Sequence, residues 1–79
     1  MTVVELGRRI RVSRRSSGLT QRDLASLAGV GTRFLSELEN GKPTLEIGRV
    51  LKVLELLGLE LSLQERGWDS LHWTDHART

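Results

Sequence analysis

The sequence predicts an all-α domain: a compact bundle of four short helices, closed by one short C-terminal strand. Three observations predict it. Apolar residues recur three and four apart in four segments, each bounded by Thr, Ser or Gly. At residues 59–64 the period changes to strict apolar–polar alternation. Seventy-nine residues without a cysteine allow one small core and no disulfide to reinforce it.

Thr2 and Glu5 have capping-box spacing and open the first helix. Leu6 and Ile10 repeat at helical spacing with Val3 one turn earlier, while Arg8, Arg11 and Arg15 fall on another face. Ser16, Ser17 and Gly18 end it. Thr20 and Asp23 form a second capping box, and Leu24, Leu27 and Ala28 give the second helix its apolar face. Gly29 stops it, and Val30, between two glycines, is predicted to plug the core from a turn. The third helix runs over 32–40 with Leu35 and Leu38 inward, and Asn40 and Gly41 supply its exit. Lys42 must leave the helix because it precedes Pro43.

The fourth helix, from 45 or 46 to 57, carries one stripe of Ile47, Val50, Leu51, Leu54 and Leu57. Gly58 terminates it. The alternation at 59–64 then marks the one strand. A single strand cannot satisfy its own backbone, so the economical solution is an antiparallel pair with a second copy through Leu59, Leu61 and Leu63. The alternatives are an extended segment packed on the helices or one more helical turn. The domain is expected to span 1–65, with a tail at 66–79.

Composition narrows the function. Without cysteine there is no thiolate chemistry, iron–sulfur cluster or cysteine-based zinc site. No apolar run approaches the ~18 residues of a membrane helix. The first residues lack the charged-then-apolar layout of a signal peptide. A cytoplasmic protein that touches no membrane is expected. No nucleophile is paired with a base, so an enzyme is not expected, and neither is a cofactor. His72, Asp75 and His76 have helical metal-ligand spacing, but in so short a terminal segment metal binding is not expected.

The net charge of +2 conceals an asymmetry. Residues 1–33 hold seven arginines and two acids, +5; residues 34–79 hold five bases and eight acids, −3. A basic front half suits an anionic partner, nucleic acid first, or is a solvated arginine face. Two compact helices joined through Ala28-Gly29-Val30-Gly31, with small Ala25 and Ala28 where helices cross, have the form of a helix-turn-helix. An ordinary αα-hairpin has the same outline.

The wording of the motif is more specific. Leu19-Thr20-Gln21-x-x-Leu24-Ala25, then Ala28-Gly29-Val30, then Ser36-x-Leu38-Glu39-Asn40-Gly41 resembles the Cro/C1-type helix-turn-helix repressors over about residues 3–57. The stretch 29–44, followed by the long helix and 59–64, is similar to the HipB-like antitoxins. The resemblance implies a lambda-repressor-like domain of four to five helices and a homodimer joined partly by the strand. It also implies double-stranded operator DNA and a HipA-like serine/threonine kinase toxin as partners, with repression of the protein's own operon. Other functions consistent with the residues are a stand-alone repressor and a protein-interaction module that barely binds DNA.

By position, the resemblance implies that Gly31, Thr32, Arg33, Ser36 and Glu37 face base edges in the major groove. Arg33 can pair bidentately with guanine or hold a phosphate. Thr32 offers a hydroxyl or a methyl. Glu37 can accept from cytosine N4 or hold Arg33 at i+4. Gly31 departs from the family's Ser or Thr cap, so the cap moves to Thr32 or the helix starts on bare amides. Phe34 either touches a thymine methyl or tucks sideways, and partial burial is expected. Gln21, Arg22, Asn40 and Lys42 are the phosphate set, with Arg14 and Arg15 adding long-range attraction. A dimer then implies a palindromic site. Trp68 and Trp73, two of the three aromatic residues, are expected to anchor the partner toxin, to fold back on the dimer, or simply to cover the strand pair.

Overall fold

The computed structural model describes residues 1–64. It holds α1 (Val3–Ser16), α2 (Gln21–Ala28), α3 (Thr32–Glu39) and α4 (Ile47–Leu56). Four helices, with no fifth and no strand, are present among the described residues.

Side chains start the first two helices. Thr2 Oγ1 accepts from the Glu5 N–H at 3.1 Å. Thr20 Oγ1 accepts from the Asp23 N–H at 3.0 Å, and the Asp23 carboxylate accepts from the Thr20 N–H at 3.1 Å, completing the reciprocal box. The hydrogen bonds lower the Asp23 carboxyl below the usual aspartate range.

All four helices end in one hydrogen-bond pattern. The N–H after the last turn reaches back three residues, and the next N–H reaches back five: Gly18 to Arg15 and Leu19 to Arg14, Gly29 to Ser26 and Val30 to Ala25, Gly41 to Leu38 and Lys42 to Glu37, Gly58 to Glu55 and Leu59 to Leu54. The reversal needs a left-handed residue, as at Gly29 (φ 69°). The residue after the glycine is then aimed back at the helix. Leu19, Val30 and Leu59 all pack on the core from that position. Leu59 thus belongs to the terminus of α4.

The chain by itself forms no strand at 59–64. Leu59 is half-buried in its own chain, whereas Leu61 is 40 % and Leu63 fully exposed. Strand structure requires a facing ladder, and no segment among the described residues supplies one.

The core contains Ile10 of α1, Leu24 and Ala25 of α2, Leu35 and Leu38 of α3, and Val50, Val53 and Leu54 of α4. α3 packs against α1 and α2, and α2 also against α4. Two expected apolar faces are turned. On α4 the buried set is Val50, Val53 and Leu54, while Ile47 and Leu51 are exposed. On α2, Leu27 is exposed. Each helix meets its neighbours along a narrower stripe than its apolar residues span. α4 also begins at Ile47 rather than 45 or 46 and ends at Leu56 rather than Leu57.

Gly7 sets the distance of α1 from α3. A Cβ there would stand 2.8 Å from the Glu39 carbonyl oxygen, so only glycine allows this approach.

Candidate nucleic-acid interface

α3 is held from beneath and open above. Leu35, Leu38 and Glu39 are buried. At about 100° per residue, Arg33, Ser36, Glu37 and Asn40 fall on the opposite side. The Arg33 side chain is 91 % exposed. Gly31 occupies the N-cap with no side-chain hydrogen bond, so α3 starts on bare amides; Thr32 is its first residue. Gly31 and Thr32 are both exposed. Phe34 is half-buried on the flank, as expected.

The charged residues of α3 are arranged around Glu37. Its Oε2 lies 3.0 Å from Lys42 Nζ and 3.9 Å from Arg33 Nε. The closer partner is Lys42, which was not foreseen. Arg33 is only loosely held, so its fork of N–H donors stays available to an acceptor. Asn40 Nδ2 donates to the Ser36 carbonyl at 2.9 Å, closing the last turn.

One buried network fixes α3 relative to α1 and α2. Arg14 Nε donates to Glu39 Oε2 at 2.6 Å, Arg14 Nη2 to Glu39 Oε1 at 3.1 Å, and Arg14 Nη1 to the Leu19 carbonyl at 2.8 Å. Gln21 Nε2 adds a bond to Glu39 Oε1 at 3.1 Å. The bond to Glu39 raises the Arg14 guanidinium above its ordinary value, against an opposing desolvation. This corrects the expected role of Arg14. It is buried and neutralised, and adds no long-range attraction. Arg15 and Arg22 are exposed.

Sequence reasoning missed this network, yet it left a signal. Arg14 continues the Leu6, Ile10 row at i+4, and Glu39 lies four residues after Leu35, so each charge occupies a core-facing position. Gln21, expected in the phosphate set, is half-buried and its amide donates to Glu39. Trp68 and Trp73, like His72 and His76, lie outside the described residues. Among the described residues no cluster of His, Asp and Glu could hold a metal, and no helix is long and apolar enough to cross a membrane.

Two short helices, a left-handed glycine turn, a supported second helix and an open polar face define a helix-turn-helix protein. Residues 5–66 match the family described as a helix-turn-helix domain, and the chain belongs to that family. It is 44 % identical over 66 residues to an uncharacterized HTH-type transcriptional regulator, y4mF, of Sinorhizobium fredii, covering 84 % of this chain and 87 % of that protein. The restriction-modification controller protein C.AhdI from Aeromonas hydrophila is similar at 31 % identity and a TM-score of 0.66, over 73 % of this chain and 88 % of that one. A chain in the HipA-HipB-O2-O3 complex superposes with a TM-score of 0.75 at 24 % identity, over 85 % of this chain and 94 % of that one, which shows a shared fold. The membership places the chain among HTH regulators rather than enzymes.

Proposed function

We propose that the chain is a dimeric, sequence-specific DNA-binding repressor that enters the major groove with α3. The observation that carries this is the exposed face of a rigidly seated α3, led by a loosely held Arg33. Gly31, Thr32, Arg33, Ser36 and Glu37 are the base-facing set, and Gln21, Arg22, Asn40 and Lys42 the phosphate set, with Glu39 orienting Gln21. A related regulator at 44 % identity supports the regulatory reading.

Dimerisation goes through the segment after α4. Exposed Leu61 and Leu63 leave an apolar, unpaired stretch that a second copy can complete as a two-stranded ladder. Two copies across a two-fold axis read a palindrome whose half-sites lie about 34–36 Å, or a multiple, apart.

The finer assignment is an antitoxin that autoregulates its operon and binds a HipA-like serine/threonine kinase toxin, with Trp68 and Trp73 as the protein-docking residues. The shared fold with HipB, which is in a complex with HipA, supports it. A gel shift with DNA from upstream of the gene tests the repressor; absence of any shift at low salt overturns it. Co-purification from the native operon tests the kinase partner; recovery of the chain alone leaves a stand-alone repressor.

A further inference from the structure

Phe34 lies on the flank of α3 beside Arg33, and its ring is covered by a residue of another helix. The Arg49 guanidinium carbon stands 6.0 Å from the ring centroid. Arg49 Nε also meets Glu46 Oε2 at 3.3 Å, and 55 % of the Arg49 side chain remains in solvent. A long, mobile side chain is therefore held at two points while its charge stays accessible. Arg8, Arg9, Arg11, Arg15 and Arg22 form no ion pair among the described residues.

We propose that Arg49 is a further DNA-phosphate anchor. The Phe34 ring presents its guanidinium to the backbone bordering the groove position of α3, and a phosphate replaces Glu46 as its anionic partner. This rests on the reading of α3 as the groove helix. A phosphate is the expected ligand because Phe34 lies on the flank of α3, away from the base-facing side. The exchange is permitted because the Glu46 pair is exposed and so weakly held. Phosphate contacts of this kind fix register and add affinity without sequence information.

The test uses the full chain and fluorescence anisotropy with two duplexes of equal length, one from upstream of the gene and one unrelated, across a salt series. Arg49→Ala should weaken binding to both duplexes by the same several-fold factor. It should also lower the slope of log affinity against log salt by about 0.9 per protomer. Arg49→Lys should keep the slope, because the charge remains. Phe34→Leu should keep the slope yet weaken both duplexes, because the cation is no longer held in place. Unchanged affinity and slope in Arg49→Ala, with the wild type binding, overturns the anchor and leaves the groove reading intact. A wild type that binds neither duplex overturns the groove reading and the anchor with it. If circular dichroism shows Arg49→Ala unfolded, Arg49→Gln decides by the same two criteria.

Discussion

Arg14 and Glu39, 25 residues apart in the chain, form a two-point ion pair inside the bundle, at 2.6 and 3.1 Å. Arg14 also caps the α1–α2 turn through the Leu19 carbonyl, and Glu39 holds Gln21. The pair thus joins three helices at the point where the groove helix is seated. Removing one partner leaves a buried charge without compensation. Glu39→Ala should cost about 3–5 kcal/mol, while the double replacement Arg14→Met with Glu39→Leu should recover most of it. Urea denaturation followed by circular dichroism measures both. A loss under about 1 kcal/mol in the single variant would show the site open to water.

Gly7 gives a second test of how α3 is seated. The space for a Cβ is already taken by the backbone carbonyls of α3, which cannot rotate away. Gly7→Ala should destabilise by about 1–3 kcal/mol, although alanine is the better helix former. An unchanged melting temperature would mean that α1 slides at no cost.

The Thr20–Asp23 capping box carries a pH dependence. The folded state holds the Asp23 carboxyl below its ordinary value, through hydrogen bonds to Thr20. Its contribution is therefore present above the unfolded-state value and is lost as pH falls through the lower folded value. Wild-type stability should decline across the acidic side of the aspartate range. Asp23→Ala should be less stable near neutrality and should lack that part of the decline. Parallel stability–pH curves for the two proteins would refute the role.

Arg33 and Lys42 should fail differently on DNA. Arg33→Ala should relax sequence preference, narrowing the gap between operator and unrelated duplex by about 1–3 kcal/mol. Lys42→Ala should weaken both duplexes alike, and it also frees Glu37. Competition binding separates them; equal losses on both duplexes for Arg33→Ala would make Arg33 a phosphate contact.

Leu61 probes the dimer. It is partly exposed in the single chain, so Leu61→Asp should leave the helices folded. Light scattering should then report half the wild-type mass. A wild type that is monomeric at working concentration would remove the strand-pair proposal outright.

The helices, the turn and the open face could be read from local spacing. Thr20 with Asp23, the glycine after each helix, and Leu35 with Leu38 act within one or two turns, where spacing alone carries the information. Val30 was legible in the same way; Leu19 and Leu59 also follow a helix-ending glycine, but their place on the core was not read from that. The alternation of 59–64 obscured this for Leu59, because a helix terminus and a strand both place apolar residues there. Contacts that depend on distance in space emerged only from the packed bundle. That Arg14 meets Glu39, that Gly7 admits the α3 carbonyls, that Arg49 covers Phe34, and that Val53 is buried while Ile47 and Leu51 are not, all follow from how helices cross. A helix carries more apolar positions than one neighbour can cover, and only the packed bundle selects among them.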